Sequence, residues 1–255
     1  MQGPMFALSP PSLWRCFTLQ TSTRKVETHT LHSRVLGEER VLKVFVPPGA
    51  GDEPLPVVYC HDGIEFFTHG RVATQAHEAI LAGKLAPCYI VGIAVNLDRR
   101  RDDYAFDGAR HREYLQFVAD ECIPFLDERY RMDDRRRYMA GISLGAVATL
   151  SFVLEYPQWF HRVMLFSGAF FPPYQRRVAE AIDLSRLYAY MFIGEDERQA
   201  NTPSGVFDFW SYNEAMRDIL IDRGAEVSYH TGPGNHIWGV WQRHLVAALS
   251  EIVLA

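Results

Sequence analysis

The sequence predicts an α/β protein with a mostly parallel central sheet, helices on both of its faces, and antiparallel strands at its N-terminal side. Three observations carry this prediction. Short unbroken apolar runs, such as Leu55-Pro56-Val57-Val58-Tyr59-Cys60, suit strands buried on both faces. From there on such runs alternate with stretches of helical spacing, the pattern of strand–helix–strand crossovers. The first fifty residues, by contrast, read as strands with no helix between them.

In chain order, residues 16–22 alternate loosely, 26–36 continue in β-prone residues, and 40–46 alternate cleanly up to Pro47-Pro48. A glycine- and proline-rich turn over 48–54 leads to the strand 55–60. A helix over 71–81 and a buried strand over 89–95 follow. Tyr114, Phe117, Val118, Cys122, Phe125 and Leu126 recur at helical spacing within 111–130. Pro124 should kink or divide that helix, because it lacks an N–H and clashes with the preceding turn. Next come a strand over 136–140, a helix over 143–156, and strands over 163–166 and 187–193. A helix over 209–223, a last strand over 225–230 and a closing helix over 240–253 complete the chain. With 255 residues and no internal repeat, low-complexity tract or linker, a single domain over 1–255 is expected.

Composition excludes several functions. The formal charge is −5, from 26 basic and 31 acidic residues, which leaves no basic excess for nucleic acid. No run is apolar for long enough to span a bilayer, and no secretory signal opens the chain, so a cytoplasmic protein without membrane partners is the default expectation. Cys16, Cys60, Cys88 and Cys122 are irregularly spaced and read as buried free thiols. Without H-E-x-x-H, Walker A or a strand-associated G-x-G-x-x-G, neither metal nor cofactor is expected.

The chemistry centres on Gly141-Ile142-Ser143-Leu144-Gly145, a G-x-S-x-G between a predicted strand and a predicted helix. In that setting the serine occupies a sharp, strained turn, and small residues let strand and helix close around it. Its hydroxyl then lies at a helix N-terminus, where dipole and free N–H groups favour developing negative charge. Ser143 is therefore the candidate nucleophile.

A serine nucleophile on this scaffold is followed in chain order by an acid and then a histidine. Of the downstream histidines, His230 ends a strand and His244 lies within the closing helix. His236 follows the flexible Gly232-Pro233-Gly234-Asn235 and is the candidate base. The acid belongs after the strand 187–193, where Glu195, Asp196 and Glu197 stand in a row, and local pattern does not choose among them. Leu144 supplies one oxyanion-hole N–H by its place after the nucleophile. The second is assigned to Ile64, on the expectation that Gly63 takes unusual backbone angles in His61-Asp62-Gly63. Arg100 and Arg101, within Arg99-Arg100-Arg101-Asp102-Asp103, lie at the carboxyl edge of the sheet and are candidates for an anionic or catechol-like part of the substrate.

Assembled, these segments resemble the Putative esterase family of α/β-hydrolases, which includes siderophore, feruloyl and acetyl esterases, S-formylglutathione hydrolases and mycolyltransferases. The resemblance rests on Val57-Val58-Tyr59-Cys60-His61-Asp62-Gly63, the arginine-rich loop ending at Tyr104, Ile123-Pro124-Phe125-Leu126-Asp127, the elbow around Ser143, Tyr156-Pro157, Phe166-Ser167-Gly168 and Gly234-Asn235-His236-Ile237-Trp238. It covers about 40–249 and implies an α/β-hydrolase fold and a serine carboxylic ester hydrolase acting on a small-molecule ester. In relatives the acid commonly stands three positions after the glycine ending its strand, which from Gly194 implies Glu197, with Asp196 as runner-up. Asn235 and Glu197 depart from the family's usual glycine and aspartate. Acyl transfer or thioester hydrolysis would use the same residues, and a non-catalytic binding protein would be expected to have lost the serine or the histidine.

Overall fold

A computed structural model describes residues 23–181 and 183–253. The strand expected over 16–22, and Cys16, lie outside the described residues. The strands are β1 (Lys25–Ser33), β2 (Glu38–Val46), β3 (Leu55–Cys60), β4 (Tyr89–Ile93), β5 (Met132–Ile142), β6 (Phe160–Phe166) and β7 (Tyr188–Gly194). They continue with the short β8 (Ala200–Thr202) and β9 (Gly205–Phe207), and end with β10 (Glu226–Gly232).

Eight of the strands form one sheet in the order β1-β2-β4-β3-β5-β6-β7-β10, and β8 pairs with β9 as a separate hairpin. β1 and β2 are an antiparallel hairpin that turns through Gly37 at φ 68°. β2 is also antiparallel to β4, and every pairing from β4 across to β10 is parallel. The chain leaves β3 for β4 on one side and then crosses to β5 on the other. The strand order therefore reverses beside β3, and the crevice at the carboxyl ends there is where open α/β sheets bind ligands.

Alternation along β3 explains why its run is apolar without a break. Val57 and Tyr59 join the core on one face of the sheet, and Val58 and Cys60 join the core on the other. The first core also takes Tyr114, Phe152 and Met216 from the helical segments 111–127, Leu144–Glu155 and Phe209–Asp222. The second takes Ala76 and Ala248 from the helices Val72–Leu81 and Leu245–Ile252 on the opposite face. Cys60, Cys88 and Cys122 are buried free thiols. Among the described residues no helix is long and apolar enough to cross a membrane.

The segment 111–127 does not break at Pro124. Phe117–Cys122 widens into a π-helix, and the Ile123 N–H reaches back to the Val118 carbonyl. One wide turn absorbs the misfit of the proline ring. The closing helix is divided into Trp238–Trp241, a tight turn over Gln242–His244, and Leu245–Ile252. Three short helices were not anticipated, at Gly63–Thr68, Arg100–Tyr104 and Pro172–Ala179. One further unanticipated tie matters for the site. Arg40, 2% exposed on β2, donates to the fully buried Asp103 at 2.6 Å and so pins the arginine-rich segment to the sheet.

Candidate active site

Ser143 sits between β5 and the helix Leu144–Glu155 with φ 56° and ψ −121°, a conformation L-residues rarely adopt. Its backbone is held on three sides. Its N–H donates to Phe166 O at 2.9 Å, and its carbonyl accepts from Ala146 N at 3.1 Å and Ala169 N at 3.0 Å. A Cβ on Gly141 would lie 2.1 Å from the Gly145 carbonyl oxygen, so strand and helix can come this close only at glycine. Strain at a nucleophile held this firmly is a pattern of functional turns.

His236 follows β10 and bonds through Nδ1 to Oε2 of Glu197 at 2.7 Å. Its ring stacks on Phe209 with centroids 4.1 Å apart and meets the edge of Trp241 at 4.9 Å. Ser143 and His236 line the same cavity, and among the described residues no hydrogen bond joins them. Catalytic contacts of this kind often tighten only when substrate is bound.

Of the three consecutive carboxylates, Glu195 and Asp196 are exposed and Glu197 is fully buried. The second oxygen of Glu197, Oε1, accepts from the Gly194 N–H at 2.9 Å and from the Ser167 hydroxyl at 2.6 Å. Ser167 accepts in turn from the Trp241 indole at 2.8 Å. A Cβ on Gly194 would lie 2.8 Å from Glu197 Oε1 and 2.3 Å from the Gly234 carbonyl oxygen, so only glycine leaves room here. Backbone bonds from Glu195 N to Gly232 O and from Asp196 N to Gly234 O fasten the acidic loop to the loop carrying His236. Sequence reasoning did not single out the role of Ser167. Its signals were a serine closing β6 and, in the structure, a positive φ of 43°.

Leu144 and Ile64 each lie in the first turn of a helix, where N–H groups lack intrahelical acceptors. The expectation for Gly63 needs correction, because the positive φ falls on Asp62, at 52°. Gly63 is required for another reason: a Cβ there would lie 2.1 Å from the Gly92 carbonyl carbon on the neighbouring strand. The Asp62 N–H donates to the Tyr104 hydroxyl at 2.9 Å, and His61 Nδ1 lies 2.8 Å from the Tyr114 hydroxyl. Burial pushes the His61 imidazole down to about 3, so it is neutral at ordinary pH.

Arg100 forks onto Asp62, with Nε at 2.7 Å and Nη2 at 2.8 Å from the two carboxylate oxygens. Burial alone would weaken its hold on the proton, but the Asp62 carboxylate more than offsets this and keeps the guanidinium charged. Arg101 pairs with the exposed Asp107 at 2.7 Å. Two of the cavities formed by the described residues open on Ser143. One, of about 630 Å³, also contains Arg101, His236 and the rings of Phe171, Tyr174, Phe207 and Phe209. The other, of about 180 Å³, contains Asp62, Glu65, Trp238 and Trp241, and Arg100 borders both. A groove of about 700 Å³ beside His111 and Glu155 holds none of these catalytic candidates. Among the described residues no group of three or more His, Cys, Asp or Glu side chains is arranged to hold a metal ion.

The profile of the family described as Putative esterase matches residues 33–252. The chain belongs to this family. Membership makes it an esterase, and its sheet and helices are those of an α/β-hydrolase. The uncharacterized protein YjcH of Bacillus subtilis (strain 168) is 28% identical over 239 residues, covering 89% of this chain and 97% of that protein. Among solved structures, a ferulic acid esterase superposes with a TM-score of 0.76 at 20% identity, covering 91% of this chain and 99% of that one. The enterobactin esterase of Shigella flexneri, solved in the presence of enterobactin, gives 0.78 at 19% identity over 94% of this chain and 61% of its own. At these identities the two structures speak to the fold.

Proposed function

We propose that this esterase hydrolyses small-molecule carboxylic esters through an acyl-enzyme on Ser143, with His236 as base and Glu197 as the acid that orients it. The observation that carries the reading is the 2.7 Å contact between a fully buried Glu197 and His236, beside a strained serine that shares their cavity. Glu197 holds the proton of the imidazole on Nδ1 and leaves Nε2 as the acceptor. Ser143 Oγ bonds to the ester carbonyl carbon as its proton passes to His236. The negative charge moves onto the carbonyl oxygen, and the N–H groups of Leu144 and Ile64 stabilise it there. Collapse breaks the bond to the alcohol oxygen, which leaves with the proton from His236. Water then repeats the sequence on the acyl-enzyme, releasing the carboxylic acid and restoring Ser143.

The four rings of the larger cavity suit an aromatic group on the substrate. Arg101 stands at that cavity in an exposed ion pair that costs little to exchange, so an anionic or catechol-like substituent can take the place of Asp107. Arg100 is committed to Asp62 and reaches substrate only through what its fork leaves over.

The test is labelling with a fluorophosphonate, together with turnover of aryl and alkyl esters. Wild-type protein labels and turns over, whereas Ser143→Ala loses the label and falls by several orders of magnitude in kcat. Undiminished labelling of the alanine variant would remove Ser143 from the mechanism.

A further inference from the structure

The smaller cavity differs in character from the aromatic one. Its walls include the rings of Trp238 and Trp241, which cross at 84° with centroids 5.5 Å apart. Trp241 is fixed by its bond to Ser167, and Trp238 by an edge contact with Phe66 at 5.3 Å. Its polar side holds Asp62, Arg100 and Glu65. The first two satisfy one another, but among the described residues Glu65 Oε2 is buried with no hydrogen-bond partner. A buried acceptor left unpaired is costly, and in native proteins it calls for an explanation. A ligand donor provides one.

Chemistry decides which half of an ester enters this space. The departing alcohol must take its proton from His236, and His236 lines the larger cavity and not the smaller. The acyl half is therefore directed towards Glu65. A space of about 180 Å³ has room for roughly six water-sized groups at about 30 Å³ each, which suits a short chain. A hydroxyl matches the polar wall better than an ammonium: it can both donate to Glu65 and accept from the Arg100 guanidinium, whereas an ammonium can only donate.

Resting on the esterase reading above, we propose that the tryptophan-walled cavity is a binding site for a short hydroxylated acyl group, with Glu65 as the residue that selects it. The probes are benzyl 3-hydroxybutanoate, its near-isostere benzyl 3-methylbutanoate, and benzyl 3-aminobutanoate, each compared by kcat/KM. Wild-type protein should prefer the hydroxy ester to the methyl ester by about ten- to a hundredfold, because the methyl ester leaves the buried acceptor unpaired. Glu65→Leu should bring that ratio close to one, and Glu65→Gln should leave an intermediate ratio. Equal wild-type rates on the hydroxy and methyl esters would overturn the proposal, even if neither variant folds. So would a preference that survives in Glu65→Leu, or a wild-type preference for the amino ester. Turnover of none of the three, with no fluorophosphonate labelling, would instead fail the esterase mechanism itself.

Discussion

Replacing Glu197 by glutamine tests the arrangement around the imidazole, and the structure sets what the new side chain must do. Two donors, the Gly194 N–H and the Ser167 hydroxyl, converge on Oε1. The amide oxygen of glutamine has to occupy that position, because its NH₂ group would face both donors. The NH₂ is then turned towards His236 Nδ1, which must become an acceptor. The imidazole proton moves to Nε2, and the nitrogen that takes the proton of Ser143 in the proposed mechanism already carries one. The geometry is kept and the tautomer is wrong. In serine hydrolases a change of this type lowers kcat by about 10⁴, or about 5 kcal/mol of transition-state stabilisation. The assay is kcat on a neutral aryl ester, with circular dichroism and a urea melt to establish that the fold is intact. Asp196→Asn is the matched control, since Asp196 is exposed and engages the neighbouring loop through its backbone. A folded Glu197→Gln with more than a tenth of wild-type activity would refute the reasoning, as would a larger loss in Asp196→Asn.

Three further outcomes are expected. Ser167→Ala leaves the buried Trp241 indole N–H without its acceptor and removes one donor from Glu197, so urea melts should show a loss of about 3 kcal/mol with kcat down about tenfold and KM little changed; a neutral effect on stability would remove Ser167 from this role. Arg101→Gln should raise KM about tenfold for an aryl ester bearing a carboxylate and much less for its neutral counterpart, and equal effects on the two would count against an anion subsite. Acid should destabilise the fold below about pH 6.5: the unfolded chain protonates His61 near 6.5 but the folded chain only at about 3, so between those values the unfolded state binds more protons. At about 1.4 kcal/mol per pKa unit the loss is on the order of 4 kcal/mol by pH 3. Glu38 is desolvated by burial, but its bonds to Arg110, Asn96 and Arg40 hold it down to about 2, and its contribution is lost as pH falls below 4.5. Equal unfolding free energies at pH 7 and pH 4 would show that the burial of His61 has been misjudged.

The sheet was legible wherever a side-chain period marked it, because alternation and unbroken apolar runs follow directly from which faces are covered. Short helices carry too few residues to establish a period. Pro172-Pro173 at the start of Pro172–Ala179 was a usable signal, since proline suits a first helical turn. Pro124 was expected to kink or divide its helix, but the helical segment runs on through it by way of a π-helical turn that depends on the packing around it. Ser143 and His236 could be proposed from sequence because each lies in a local motif beside a strand end. Glu195, Asp196 and Glu197 could not be separated by local pattern. What distinguishes Glu197 is a space without a Cβ at Gly194 and a donor at Ser167, thirty residues earlier. The bond from Arg40 to Asp103 joins positions 63 apart and leaves no trace in either local sequence.

Among the described residues β10, the strand that leads to His236, is the last in the sheet and pairs with β7 alone. Strands at an edge open more readily than those in the middle, and opening can occur well below the free energy of global unfolding. The backbone bonds between the acidic loop and the loop after β10 mean that His236 and Glu197 cannot drift apart while that strand stays docked. The same bonds make the proposed dyad hostage to it: on the mechanism proposed above, fraying of a single border strand would silence the enzyme while most of the sheet remained folded. Heat inactivation of this protein is thus expected to set in, reversibly, ahead of the cooperative melt.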